Sequence, residues 1–386
     1  MFSQLAWLIL SLILFGVWRF LKFVGQAKKI HGIYSQPTIF YWFKFHLIRF
    51  LVERQQKKRA NSSEVYTGDL YRMNRKDKVK RFDPKLLEKK QKLPNDLPYA
   101  GDCIFFNGAN KDGVYLALGF AQRQQDVANV FLVLRIPHIG TFVNEELLRT
   151  SNIKTQDDKE FYKTPSGFQI HCVEPMKRWH VQFKGNLVRA FELRQNLKQV
   201  GEDEPHSEDI QRFNCSFDWT WEASGKFIVK HYLTSLKQIY SGECFNFDTD
   251  VSPDLIAHSL ALEPWTLEMF KKLESSHQTH YEQFGKLSGD LLIDGQKHDF
   301  QITSMRDHTI APYRRWTDIR RYIMIVFHLE DGTCINSMAI SMPDVVFSHL
   351  HFGYMIKPDG SKVPINRILN LQLPFIGENK TLSKSI

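Results

Sequence analysis

The sequence predicts a mainly β, antiparallel fold in two strand-rich halves, preceded by an N-terminal transmembrane helix. Three observations predict it. From Tyr99 onward, short β-like runs are divided by Gly, Asn and Asp. The 386 residues include 30 phenylalanines, a bias towards sheet packing. Met1–Val24, MFSQLAWLILSLILFGVWRFLKFV, carries no charged side chain before Arg19. A chain of this length exceeds one ordinary core, so two domains are expected.

Residues 1–24 are the transmembrane anchor, since about 20 apolar residues cross a hydrocarbon core as a helix. A cleaved signal peptide is the alternative, but that calls for a basic start and a small-residue cleavage site. Arg19, Lys22, Lys28 and Lys29 lie at or after the end of the span. By the positive-inside rule they place the body on the cytosolic side of a single-pass membrane protein, at the endoplasmic reticulum or another endomembrane.

Residues 25–98 form a basic, aromatic juxtamembrane segment and tether. Within it IYSQPTIFYWFKFHLIRFLVERQQKKR (33–59) has two readings. One is an interfacial segment, with rings at headgroup depth and cations on anionic lipid; the other is a helix docked on the body. From Asn61 to Pro98 the chain is polar and basic and reads as a tether with little structure of its own. Most of the net charge of +9 lies near the N-terminus, and no nucleic-acid recognition module accompanies it. Nucleic acid is therefore not expected as a partner; a lipid bilayer is.

Residues 99–250 form the first half. Strands are expected over Asp102–Asn107, Val114–Ala121 and Val127–Ile136, then over RWHVQFKG from Arg178. In RFNCSFDWTW, alternation puts Phe213, Cys215, Phe217, Trp219 and Trp221 on one face. Residues 251–279 are a helical connector, with a helix between Pro253 and Ser276 broken at Pro264. Residues 280–386 form the second half. A strand from His280 to Ile293 turns at Asp294-Gly295 into His298–Met305, and strands over Arg321–Leu329 and Thr333–Ser341 flank Glu330-Asp331-Gly332. Pro358-Asp359-Gly360 makes the last turn. The five cysteines are scattered, odd in number and free of any C-x-x-C pair, which suits a reducing compartment and offers no zinc site.

YAGDCIFFNG, GVYLALGFAQR and GFQIHCVEPMKRWHVQFKG in the first half, and HYEQFGKLSGDLLIDGQKHDF, MRDHTIAPYRRW and GYMIKPDG in the second, resemble the AttH-like and hydroxyneurosporene-synthase (carotenoid 1,2-hydratase) superfamily. The resemblance implies two tandem lipocalin-like antiparallel β-barrels around an apolar cavity. It also implies company that includes carotenoid hydratases and fungal cyclases of reactive polyenes. Around SMRDHTIAPYRRW the family pattern is Arg-Asp-His-Ser, an aromatic, Gly, then Arg and Trp. Arg306, Asp307, His308 and Trp316 match it; Thr309 replaces the Ser, and Ile310 and Ala311 stand where the aromatic and Gly belong.

Alternation along this stretch sends Arg306 and His308 to one side and Asp307 to the other. Facing an apolar interior, Asp307 would hold its proton and serve as a catalytic acid towards an alkene. Facing the other way, it would be an ion-pair partner for Arg314 or Arg315, which with Arg306 form a structural cluster. Glu282 is the second candidate catalytic acid, as a partner for Asp307 or as a hydrogen-bonded corner. Trp179, Trp219, Trp221, His308, Tyr313 and Trp316 are candidates to line a ligand site, the tryptophans being equally suited to ordinary core. His349 and His351 share a strand face, but no third ligand follows by spacing and no metal is expected. The sequence holds no phosphate loop, nucleophile elbow or dinucleotide fingerprint, so no cofactor is expected.

Three functions remain open at this point. The first is a membrane-anchored binding protein for a hydrophobic small molecule of lipid or isoprenoid type. The second is an enzyme for acid-initiated hydration, isomerisation or cyclisation of an unsaturated lipid. The third is an interaction module without a ligand.

Overall fold

The computed structural model describes residues 34–73, 80–144, 153–155, 158–190, 211–224, 244–246, 250–345 and 347–369, with 7, 9, 11–16, 19 and 29–30. The main sheet has twelve strands among the described residues, nine of them longer than three residues. The nine are β1 (Gly101–Ala109), β2 (Tyr115–Arg123), β3 (Val127–Ile136), β4 (Gly140–Asn144), β5 (Phe168–Glu174), β6 (Arg178–Arg189), β7 (Arg212–Ala223), β8 (Thr279–Ile293) and β9 (Gln296–Ala311). All neighbouring pairs are antiparallel. β4 also pairs with β6 through Leu187↔Asn144, Val188↔Val143 and Arg189↔Phe142, which closes β4-β6-β7-β8-β9-β1-β2-β3 into an eight-stranded barrel. Closure leaves no ring strand with an unpaired edge along its whole length.

Inward alternation fills this barrel with side chains. Phe106, Leu116, Leu118, Leu132, Phe142, Val181, Trp219 and Leu291 are among those it buries. Trp219 lies between two parallel rings, 3.7 Å from Phe217 and 3.9 Å from Phe300. At Asp294-Gly295 both residues take positive φ, the geometry a two-residue hairpin turn requires, and this fixes the long β8–β9 register.

The expectation of two tandem barrels needs correction. The β8–β9 hairpin, expected to begin a second barrel, is spent on closing the first: β8 pairs with β7 from Gly285 to Ile293, and β9 pairs with β1 from Thr303 to Ala311. The remaining strands, β10 (Arg321–His328), β11 (Cys334–Met342), β12 (Phe347–Ile356) and β13 (Lys362–Pro364), form an open four-stranded sheet among the described residues. Met338, Ile340, Leu350, Phe352 and Tyr354 of that sheet share a core with Phe284 and Met305 from the outer barrel wall.

Besides helical residues 11–16 and a 3-10 turn at Trp316–Asp318, the described residues hold α1 (Tyr41–Ala60), α2 (Pro84–Glu88), α3 (Pro253–Leu262) and α4 (Leu267–Ser275). The break between α3 and α4 falls at Pro264, as the missing N–H of proline dictates. Ile256, Ala257 and Leu260 of α3 join the second core, and α1 lies on α3 through Tyr41 Oη–His258 Nδ1 at 2.6 Å and Lys44 Nζ donating to Glu263 O at 2.8 Å.

The tether is also more ordered than its charge suggests. Val65–Tyr66 pairs with Arg81–Phe82, Asp83 caps α2 by accepting from Lys85 N at 3.0 Å, and Tyr66, Leu70, Tyr71, Phe82 and Leu87 are buried with Tyr281 and Ile310. Their spacing follows neither 2 nor 3.6, so the charged residues between them hide a plug for one end of the barrel. Met1–Val24 lies mostly outside the described residues. Among those described, no helix is long and apolar enough to cross a membrane.

Candidate functional site

The antiparallel register of β8 and β9 sets Tyr281 opposite His308 and Gln283 opposite Arg306; between and beside them, Glu282 stands opposite Asp307 and His280 opposite Thr309. Strand alternation then sends the two sets to opposite faces. One hairpin therefore supports two polar clusters, back to back.

The inner cluster lies at the plugged end of the barrel. Arg306 is fully buried; its Nη2 donates to Glu88 Oε1 at 2.9 Å and to Gln283 Oε1. Its guanidinium carbon stands 5.0 Å from the ring centres of both Trp179 and Trp221 and 5.5 Å from that of Tyr281. Gly285 gives Trp221 its place, because a Cβ there would meet the indole at 2.6 Å. Glu88 also accepts from Tyr281 Oη at 2.6 Å and from Trp179 Nε1 at 2.7 Å. Tyr281 Oη continues to His308 Nδ1 at 2.7 Å, and His308 Nε2 to Asp102 Oδ1 at 2.7 Å. Asp102 Oδ2 accepts from Tyr162 Oη and Gln91 N, each at 2.7 Å. Burial pushes the Glu88 carboxyl up, but Arg306, His308 and the two hydrogen bonds outweigh it and hold it below its ordinary value. Glu88, Asp102, Arg306 and His308 are each at most 1% exposed, so this network is sealed from solvent.

The outer cluster faces the open sheet. His280 Nε2 lies 2.9 Å from Glu282 Oε1, and Asn336 Nδ2 of β11 donates to Glu282 Oε2 at 2.6 Å. His280 Nδ1 lies 2.7 Å from Thr309 Oγ1, which donates to Asp307 Oδ1 at 3.1 Å. Burial opposes charge on His280, yet Asp307 and the Glu282 hydrogen bond raise its pKa, so both ring nitrogens can donate. Burial raises the Asp307 pKa against the pull of His280. Glu282 has no exposure, whereas the Asp307 side chain keeps 14%. A chain Glu282–His280–Thr309–Asp307 thus ends on an acid whose pKa burial raises and whose side chain is partly exposed.

The structure brings together some of the candidates chosen from sequence and separates others. Asp307 and Glu282 share one cluster on the outer face of the barrel, so Asp307 does not face the apolar interior expected for a donor, and the charge of Arg314, one of its two expected partners, acts on it. Trp179, Trp221, His308 and Arg306 share the other, while Trp219 stands in the aromatic stack of the lumen. Tyr313 and Trp316 lie apart on the loop after β9. Tyr313 meets the Tyr99 ring at 5.4 Å and donates to Asp318 Oδ2 at 2.9 Å; Trp316 is 46% exposed and donates to Asn129 Oδ1 at 3.2 Å. Arg314 covers Trp316 and reaches Gln278, and Arg315 covers Tyr99. Neither joins Arg306, because the chain leaves the strand at Ala311 and turns away.

Sequence reasoning missed Glu88, Asp102, Tyr281 and Asn336. Only Asp102 carried a signal, as a charged residue at the head of an otherwise apolar strand. His349 and His351 do meet, at 4.8 Å between rings, with His258 of α3 nearby; burial holds His349 low and His351 down at about 4. Among the described residues, no group of three or more His, Cys, Asp or Glu could hold a metal ion.

The family model that matches this chain is described as a family of unknown function, DUF8627, and it spans residues 8–384. No curated protein matches the chain. In structure the chain is similar to a Nitrosomonas europaea protein described as AttH (10% identity, 72% of each chain, TM-score 0.38). It is similar to kievitone hydratase from Nectria haematococca (9% identity, 72% of this chain and 71% of that one, TM-score 0.32). It is also similar to CghA with Sch210972 (10% identity, 77% and 68%, TM-score 0.33). The AttH-like resemblance seen in the sequence stands beside these matches. At such likeness nothing about chemistry passes from those proteins to this one.

Proposed function

The chain belongs to the DUF8627 family, and we propose that within it this protein binds a hydrophobic, unsaturated small molecule of lipid or isoprenoid type and transfers a proton to it from Asp307. One observation carries this reading. Of the four carboxyls in the two clusters, Asp307 keeps 14% exposure while the others keep at most 1%, and burial raises its pKa. The substrate would lie between the barrel wall and the edge strand β10, where Phe105, Met324 and Tyr322 offer half-buried or exposed apolar surface.

In the proposed reaction the Asp307 O–H bond breaks and its proton joins one alkene carbon, leaving a carbocation on the other. Water then adds and gives up a proton, or the carbocation loses a proton from a neighbouring carbon. Either proton returns to Asp307, and the acid is restored. Thr309 and His280 position the carboxyl and spread its negative charge in the interval. Thr309 keeps the hydroxyl that the Ser of the AttH-like pattern would supply. The same proposal makes Met1–Val24 the single-pass anchor of an endomembrane protein with a cytosolic body, which keeps the site beside a poorly soluble substrate.

Binding without chemistry is the second reading. Trp219 Nε1 and Trp221 Nε1 are buried in the lumen with no hydrogen-bond partner among the described residues, which favours a guest carrying an acceptor. The test starts from mass spectrometry of organic extracts of the detergent-purified full chain, followed by incubation of the extracted compounds with the protein in deuterated water. Deuterium at carbon, lost in Asp307→Asn while the extract is retained, supports proton transfer. An extracted compound that gains no deuterium leaves the binding reading, and no extracted compound removes both. Protease protection in sealed microsomes tests the anchor and its orientation.

A further inference from the structure

Helix α1 buries cations and leaves large apolar side chains outside, although Tyr41 and Phe45 pack on the body. The stripe it turns to the body runs Lys44, Ile48, Val52, Gln56 and Arg59, and its charged and polar members are all engaged. Lys44 donates to Glu263 O, Gln56 Nε2 to Val251 O at 2.9 Å, and Arg59 Nε to Lys80 O at 3.0 Å. Lys44 and Arg59 are buried. The outward stripe runs Phe43, Leu47, Phe50, Arg54 and Lys57, at the same spacing of three and four residues. Trp42 is 65% exposed, Phe43 66% and Phe50 57%. Burying two cations while leaving three large apolar side chains outside is costly in water. It becomes favourable where the outer face meets an apolar medium.

The outward stripe changes character along its length. Its first half is aromatic and aliphatic. Its second half carries Arg54, Lys57 and Lys58, none of which has an ion-pair partner among the described residues. Together with Phe50, Glu53 and Asn61 these three cations line a shallow open recess. Rings followed by cations match the acyl boundary and the phosphate layer of a bilayer surface, and the apolar Met1–Val24 lies a short way upstream on the same chain.

We propose that the outward face of α1 is a membrane-docking surface: Trp42, Phe43, Leu47 and Phe50 enter the acyl boundary, while Arg54, Lys57 and Lys58 hold anionic headgroups. This stands independently of the proton-transfer reading, since it uses no residue of either hairpin cluster. It sets the body flat on the bilayer rather than leaving it at the end of a loose tether.

The full chain, with a photoreactive diazirine phenylalanine replacing Phe43, is reconstituted in vesicles of phosphatidylcholine with and without phosphatidylserine and then illuminated. A second protein carries the probe at Tyr115, an exposed aromatic on the barrel. Lipid adducts at Phe43, well above those at Tyr115, are expected. In phosphatidylserine vesicles the triple change Arg54→Glu, Lys57→Glu, Lys58→Glu should lower them by roughly tenfold or more, from the surface attraction of three cations. Circular dichroism in detergent should match the parent, because the changed residues are exposed. An adduct to residues 1–24 of the same chain, a cross-linked pair of chains, or equal lipid labelling at Phe43 and Tyr115 would each overturn the proposal. An undiminished yield in the charge-reversed protein would overturn the anionic selection.

Discussion

The two faces of the β8–β9 hairpin carry nearly the same chemistry in different settings. Inside, Glu88, Arg306, Tyr281, His308 and Asp102 are linked by hydrogen bonds and sealed by the plug; outside, Glu282, His280, Thr309 and Asp307 form a chain that ends near solvent. Opposite charges in low dielectric suppress the Glu88 pKa, whereas desolvation outweighs the pull of His280 and Arg314 and raises that of Asp307. A guanidinium in direct contact separates the carboxyl held low from the carboxyl held high. The number of charged groups does not.

The largest effect that could break this comparison is on stability. Arg306→Ala leaves Glu88 buried without its cation and is expected to lower stability by about 3–5 kcal/mol, read from the denaturant midpoint at constant slope. A loss no larger than that of Asp307→Asn would erase the distinction between the faces. Asp307→Asn itself should shift stability by less than about 1 kcal/mol, while lowering deuterium transfer by roughly 10²–10⁴-fold.

The pH dependence should also split between the faces. Glu88 has a folded value below the ordinary 4.5, so its contribution is present above 4.5 and is lost as pH falls through the folded value. His280 has a folded value above 6.5, so its contribution is complete below 6.5 and is lost as pH rises through the folded value; Asp307, raised above 3.8, has the same sign. Glu88→Gln should flatten the acid limb of a midpoint-against-pH curve and His280→Gln the alkaline limb. Both changes acting on one limb would contradict the assignment.

Thr309 gives the smallest and sharpest test. Thr309→Ser should leave proton transfer within about twofold, and Thr309→Val should lower it by roughly tenfold through loss of one hydrogen bond to the acid. Equal rates in the two variants would remove Thr309 from the chain.

Much of the fold was legible in the residues. The Asp294-Gly295 turn, the alternation from Phe213 to Trp221 and the break at Pro264 each reflect a local rule, and each stands where that rule puts it. The split of Arg306 and His308 from Asp307 was legible as well, because it needs only strand alternation. Which side was sealed was not, since sealing depends on Glu88, some 220 residues away, and on a plug whose apolar residues keep no regular period.

Local chemistry by itself determined the strands, their turns, the facing of each side chain and the candidate acids, because backbone sterics and alternation act over a few residues. Only tertiary structure decided that β8 and β9 close one barrel instead of opening a second, that Glu88 meets Arg306, and that α1 leaves Trp42, Phe43 and Phe50 outside. Those outcomes depend on which distant surfaces compete to be buried and on which buried charges find partners.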